Sequence, residues 1–159
     1  MKKVYKILFF LTVFCSFIQR HEKLPVDFSF SFSFGYDKFA LSDSTFTRQC
    51  NPRDTTIKLI LSEEEKQNIF NVMIENKVFE LPSKFENAID CIWTLPSTSD
   101  ILWVKLDNKS NFICYDYSCL PKKDKDASDR FLRIANMIRN IISNKKEVKN
   151  LPRSNIMRF

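Results

Sequence analysis

The stretch DFSFSFSF at residues 27–34 decides the fold of this chain. It alternates phenylalanine and serine with a period of two, which places successive side chains on opposite faces of a β-strand. Phe28, Phe30, Phe32 and Phe34 therefore share one face, and the intervening serines share the other. This pattern predicts a half-buried strand whose phenylalanine face contacts the core.

The segments on either side of this strand complete the predicted fold. Ser62-Glu63-Glu64-Glu65 forms a capping box that starts a helix, and Pro82 prevents that helix from continuing. An apolar stripe predicts a second helix at residues 127–144. Further β-rich segments lie at residues 39–41, 45–48, 55–61, 100–106 and 111–117. We expect an α+β fold, with an antiparallel sheet of about four to five strands and two helices packed on one face.

The N-terminus has the pattern of a secretory signal. Residues 1–6 contain three lysines and no acidic residue, and residues 7–18 are apolar except for Thr12 and Ser16. The apolar run is shorter than the roughly 20 residues that span a bilayer as a helix. We predict a signal peptide at residues 1–18, a mobile segment at residues 19–25, and export to the periplasm or cell envelope.

The sequence allows several ways in which the predicted signal could be processed. Cleavage near residues 15–18 is one of them. Lipidation of Cys15 is another, because Leu11-Thr12-Val13-Phe14-Cys15 is similar to a lipobox, although bulky Phe14 replaces its small residue. An uncleaved signal anchor and a buried helix of a cytosolic domain are the remaining alternatives. Membrane contact is expected only through this segment, if it is lipidated or uncleaved.

Composition limits the chemistry of the rest of the chain. Gly35 is the single glycine, so neither a Walker loop nor a G-x-G-x-x-G turn can be present. Residues 120–159 contain 11 basic and 4 acidic residues. We predict a single domain at residues 26–144 and a basic tail at residues 145–159. For an exported protein we expect a protein, peptide or glycan partner and no nucleic acid.

The cysteines suggest a disulfide framework. Beyond the signal the chain has four, Cys50, Cys91, Cys114 and Cys119. An even number in an oxidising compartment predicts two disulfides, with three possible connectivities. We favour Cys50–Cys91 and Cys114–Cys119, because the second pair needs only a turn. A zinc site is not expected, since there is no C-x-x-C pair and no usable histidine.

The residues needed for catalysis are scarce. The only histidine, His21, lies beside the predicted cleavage region, so a Ser-His-Asp or Cys-His arrangement lacks its base. Asp100, Asp107 and Asp116 lie on one predicted hairpin and could form a carboxylate pair, although solvent-facing positions explain them better. Residues 124–129 match a calcium loop poorly. We predict no catalytic, metal or cofactor-binding residue and a protein that is not an enzyme.

Aromatic residues form the best candidate for a binding surface. Tyr36, Trp93, Tyr115 and Tyr117 lie on or near the predicted hairpins, where their rings could contact a peptide or a glycan. Trp103 could belong to the same surface. The alternative is that Trp103 and Phe112 belong to the core.

Several of these segments are similar to small exported bacterial proteins of unknown function, many of them lipoproteins. The resemblance covers residues 26–144 and rests on DFSFSFSF, LILSEEEKQNIFNVMIENKVFELPSKF, ILWVKLDNKSNFICYDY and the closing helix. It implies no assigned activity. We expect an exported, disulfide-stabilised, non-enzymatic binding domain of the bacterial envelope. The alternative is an inhibitor or immunity-type protein that occludes an envelope or secreted enzyme. Ligand and oligomeric state stay open.

Overall fold

The computed structural model describes residues 23–85, 99–117 and 124–156. Within these ranges the chain forms one antiparallel sheet and two long helices, which confirms the α+β fold. The strands are β1 (Ser29–Phe34), β2 (Asp37–Ala40), β3 (Thr45–Arg48), β4 (Thr55–Lys58), β5 (Ser99–Leu106) and β6 (Lys109–Asp116). The helices are α1 (Glu63–Glu75), α2 (Lys125–Asn144), the short α3 (Lys146–Lys149) and a 3₁₀ turn at Val78–Glu80. The sheet has six strands, slightly more than predicted, in the order β4-β3-β2-β1-β5-β6.

The phenylalanine face of β1 forms the centre of the core, as the alternation predicts. Phe32 lies opposite Phe39 on β2 and opposite Leu102 on β5. The same row continues through Phe46 on β3 and Ile113 on β6. All five side chains are essentially inaccessible to solvent. One apolar row thus crosses five strands on a single face, which we call the inner face.

Both long helices bury apolar residues against this inner face. Their buried side chains belong to the same cluster as the phenylalanines of β1. In α1 they are Ile69, Phe70 and Met73, and in α2 they include Phe131, Ile134, Ile138 and Ile142. The predicted capping box is present, since Glu65 N donates to Ser62 Oγ at 3.1 Å and Ser62 N donates to Glu65 Oε2 at 2.7 Å. The two helices therefore lie on one face of the sheet.

The segment predicted as a basic tail packs against the domain instead. Val148 in α3 is only 5% exposed. Ser154 Oγ donates to the Gln49 carbonyl at 2.7 Å, and the Asn155 side chain exchanges two hydrogen bonds of 2.7 Å with the backbone of Asn51. These contacts hold residues 145–156 beside the end of β3. Residues 145–156 of the predicted basic tail therefore pack against the domain, which sequence composition could not show because it gives their charge and not their partners.

The predicted disulfides find no support. Cys50 and Cys114 are free cysteines, and their proposed partners Cys91 and Cys119 lie outside the described residues. The backbone N–H of Cys114 donates a hydrogen bond of 2.9 Å to the Ser83 carbonyl. Cys15 and the predicted signal also lie outside the described ranges. Among the described helices none is long and apolar enough to cross a membrane.

Candidate functional site

A cleft of about 420 Å³ opens at the end of the sheet where β1 turns into β2. Its three arginines come from three separate parts of the chain: β3, α2 and the segment after α3. The cleft is lined by Phe34, Gly35, Tyr36, Asp37, Arg48, Arg139, Arg153 and Ser154. We call it the arginine cleft.

The turn between β1 and β2 shapes one wall of this cleft. Gly35 has φ of 58°, a left-handed conformation that glycine adopts without steric cost, so the strand reverses over two residues. The Tyr36 carbonyl accepts a hydrogen bond of 2.8 Å from Gln49 N. The single glycine of the chain therefore lies where a tight turn requires it, and the turn brings Tyr36 to the cleft.

Arg48 forms a bidentate ion pair. Its Nε and Nη2 donate to the two carboxylate oxygens of Asp37, each at 2.8 Å, and Nη1 donates to the Pro152 carbonyl at 3.2 Å. The guanidinium also lies 5.6 Å from the ring centre of Phe46. The hydrogen bonds with Asp37 raise the pKa of Arg48 despite partial burial. This arginine is therefore fixed in one orientation and permanently charged.

Arg139 belongs to a polar network at the margin of the core. Its Nη2 donates to Asp100 Oδ2 and, at 3.2 Å, to the Tyr117 hydroxyl. The guanidinium lies 6.0 Å from the ring centre of Phe32 and 5.7 Å from that of Phe34. Both rings belong to β1 and make cation–π contacts with the guanidinium. Arg139 thus connects the arginine cleft to the buried end of β5.

Asp100 is the buried acid of this network. It is 2% exposed, and burial raises its pKa although the hydrogen bonds from Tyr117 and Arg139 act in the opposite direction. The Tyr117 hydroxyl donates to Asp100 Oδ2 at 2.7 Å. Burial, followed by this hydrogen bond, raises the pKa of Tyr117 to about 12. The network therefore keeps Tyr117 protonated and Arg139 positioned over a wide pH range.

Arg153 differs from the other two arginines. It is exposed, and within the described ranges it forms no ion pair. Its position is fixed through its neighbours, because Pro152 and Ser154 both bind the end of β3. Its guanidinium is the cation of the cleft with the most donors available to a ligand.

The predicted binding residues lie in different environments in the structure. Tyr36 lines the arginine cleft, and Tyr117 is hydrogen-bonded to Arg139 beside it. Tyr115 is 3% exposed, stacks on Phe131 at 5.0 Å between ring centres, and shares a hydrogen bond of 2.8 Å with Ser128. Its assignment to a binding face is therefore wrong, because it points toward α2. Trp93 lies outside the described residues.

In the second predicted hairpin, the buried and exposed side chains are the reverse of those expected from the sequence. Phe112 is 52% exposed and Trp103 is half-buried, so Phe112 is not part of the core. Asp116 lies on the same strand face as Phe112, on the side of the sheet opposite Tyr115. Asp107 lies in the turn, where its backbone N–H donates to Asp27 Oδ2 at 2.6 Å. Asp100 is thus separated from the other two carboxylates of the hairpin, and no carboxylate pair forms among them.

The three cleft arginines were missed by the sequence patterns. No motif or periodicity in the sequence links Arg48, Arg139 and Arg153. Within the described ranges no group of three or more histidine, cysteine, aspartate or glutamate residues could hold a metal ion. No model of a known protein family matches the chain, and no curated protein matches it.

Proposed function

We propose that this protein is an exported, non-enzymatic binding domain of the bacterial envelope and that the arginine cleft binds an anionic group of its ligand. The observation that supports this proposal is the convergence of Arg48, Arg139 and Arg153 on one cleft, where Asp37 is the only lining carboxylate among the described residues. Phosphate, sulfate and carboxylate groups are the partners that guanidinium groups bind best.

Two of the three arginines are already ordered before a ligand binds. Arg48 is fixed by Asp37 and the Pro152 carbonyl, and Arg139 by Asp100 and Tyr117. A ligand therefore meets donors that are already ordered, and it loses less conformational entropy on binding than mobile arginines would require. Each guanidinium has five N–H donors, and these contacts do not use all of them.

The dimensions of the cleft suit a small group or the end of a chain. About 420 Å³ falls within the usual range of small-molecule sites, which is roughly 300–1,000 Å³. Tyr36 and Phe34 supply aromatic surface beside the cations. We infer that the anionic group lies between the arginines and that the adjoining part of the ligand contacts Tyr36.

The remaining parts of the proposal rest on the sequence. Export rests on the charged and apolar pattern of residues 1–18, and the absence of enzymatic activity rests on the single histidine, His21. The alternative, an inhibitor or immunity-type protein, stays a prediction. A stable stoichiometric complex with an envelope hydrolase would support that alternative.

The test is a titration of the full chain with inorganic sulfate, followed by NMR of the arginine Nε–H groups. We expect the signals of Arg48 and Arg139 to shift, and Arg153→Gln to weaken sulfate binding about tenfold by removing a charge-assisted hydrogen bond. The matched control is Arg53→Gln, which removes the same charge from an exposed loop that does not line the cleft. Equal losses for both variants, or no shift of either arginine signal, would contradict the proposal.

A further inference from the structure

The sheet has a second face that carries no described helix. We call it the outer face, and it is the side opposite the phenylalanines of β1. Register places Ser31, Trp103 and Phe112 side by side on it, on β1, β5 and β6 respectively. The next row holds Ser33, Ile101 and Cys114, in the same strand order. Both long helices bury their apolar residues on the inner face instead.

Trp103 and Phe112 form an aromatic ledge near one side of this face. They are directly paired across β5 and β6, so their β-carbons lie about 5 Å apart. Phe112 is 52% exposed, which is unusual for a phenylalanine in the middle of a strand. The ledge therefore presents ring surface to solvent rather than to the core.

The outer face around the ledge is polar, and most of its charged residues are basic. Lys38, Lys58 and Lys105 are exposed on the outer face, and Asp116 is the one acidic residue among its strand positions. Lys105 follows Trp103 by two residues, which places it about 7 Å further along the same strand face. Hydroxyl residues occupy many of the other positions: Ser31, Ser33, Thr45, Thr47, Thr56 and Ser110. The Oγ of Ser29, on the same face, is buried and is not accessible to a ligand.

We propose that the outer face binds an acidic polysaccharide. Sugar rings present C–H surfaces that stack on aromatic rings, whose faces carry negative charge density. Their hydroxyls hydrogen-bond to serine and threonine, and the uronate or sulfate groups of an acidic chain complement Lys38, Lys58 and Lys105. The outer face extends across six strands, which gives an extended polymer a continuous surface to contact. This binding is independent of the arginine cleft, which opens at the end of the sheet.

Two other occupants fit the same face less well. The core of a protein interface excludes charge and is largely apolar, whereas lysine and hydroxyl residues dominate here. Single-stranded nucleic acid also combines aromatic stacking with cations. An exported domain meets polysaccharides rather than nucleic acids, so the polysaccharide is the occupant that compartment and charge both favour.

The test uses the full chain carrying Trp93→Phe, so that Trp103 is the single tryptophan and its fluorescence reports on the outer face. Alginate is the acidic probe, dextran is the neutral probe and an oligothymidylate is the nucleic-acid probe. We expect alginate to change the fluorescence and Phe112→Ser to weaken its binding about tenfold, the usual scale for one lost stacking contact. Lys105→Gln should weaken binding and reduce its salt dependence.

Matched controls lie on the helix side of the molecule. Met137→Ser removes an apolar side chain that is 37% exposed on α2, and Lys77→Gln removes an exposed lysine after α1. Both should bind alginate like the parent chain. Absence of alginate binding at low ionic strength, equal losses in the controls, or dextran binding as tight as alginate binding would overturn the proposal. Tighter binding of the oligothymidylate would assign the face to nucleic acid instead.

Discussion

Alkaline pH should weaken the fold through one identifiable group, Tyr117. Its hydroxyl donates to Asp100 and accepts from Arg139, and burial raises its pKa from 10.0 to about 12. An acid whose pKa is higher in the folded state binds its proton more tightly there. The resulting stability is fully present below pH 10 and is lost as the pH rises through about 12.

The size of this loss follows from the two pKa values. A rise from 10.0 to about 12 corresponds to about 2.7 kcal/mol of unfolding free energy if all of it is expressed. Tyr117 is 40% exposed, however, so solvent screens part of the interaction. We therefore expect about 1 to 2 kcal/mol to be lost.

The assay is urea unfolding of the parent chain and of Tyr117→Phe at a series of pH values up to about 12. Other groups that titrate in this range act on both proteins, so the difference between the two unfolding free energies isolates Tyr117. That difference should shrink by about 1 to 2 kcal/mol across the range. A difference that stays constant with pH would refute the reasoning.

Two further predictions concern the elements that the sequence indicated most clearly. Phe32→Ala should reduce the unfolding free energy by about 3–5 kcal/mol, because Phe32 is 0% exposed in the central strand. Ser33→Ala, one residue along on the outer face, should change it by no more than about 0.5 kcal/mol, and similar losses in urea titrations of both would contradict the assigned strand faces. Ser62→Ala should cost about 1 kcal/mol by removing the hydrogen bond to Glu65 N, and unchanged thermal unfolding would argue that the capping box adds nothing.

The parts of the fold with a strong local pattern were predictable. The alternation of phenylalanine and serine admits one strand orientation, since only one of its faces is apolar. The capping box at Ser62 and Glu65 is equally explicit, because both hydrogen bonds arise from residues three positions apart. In each case the physical cause lies within a few consecutive residues, so the sequence alone contains it.

The sequence does not show which side chains of the second hairpin face the core. In NFICYDY, at residues 111–117, both alternating sets contain apolar side chains. A shift of one residue exchanges the two faces, and nothing local selects between them. The choice depends on the register with β1, in which Leu102 and Ile113 join the row of Phe32. Tyr115 is therefore buried and Phe112 exposed, the reverse of the expectation.

The arginine cleft required the tertiary structure. Arg48, Arg139 and Arg153 lie far apart in the sequence and meet only when α2 and the following segment pack beside β3. No periodicity links them, and the segment that carries Arg153 was predicted only as a basic tail. By contrast, Tyr36 could be suggested as a binding residue because it is an aromatic residue on or near a predicted hairpin.

The position of β1 has a consequence for how the chain reaches this structure. Its two neighbours are β2, which follows immediately, and β5, which is synthesised only after α1. Until β5 emerges, one edge of the most apolar strand has no partner, and the sheet consists of four strands with an open side. Pairings between distant segments form slowly and leave apolar surface exposed in the meantime. We therefore expect the nascent chain to depend on chaperones until residues 99–106, which form β5, have left the ribosome.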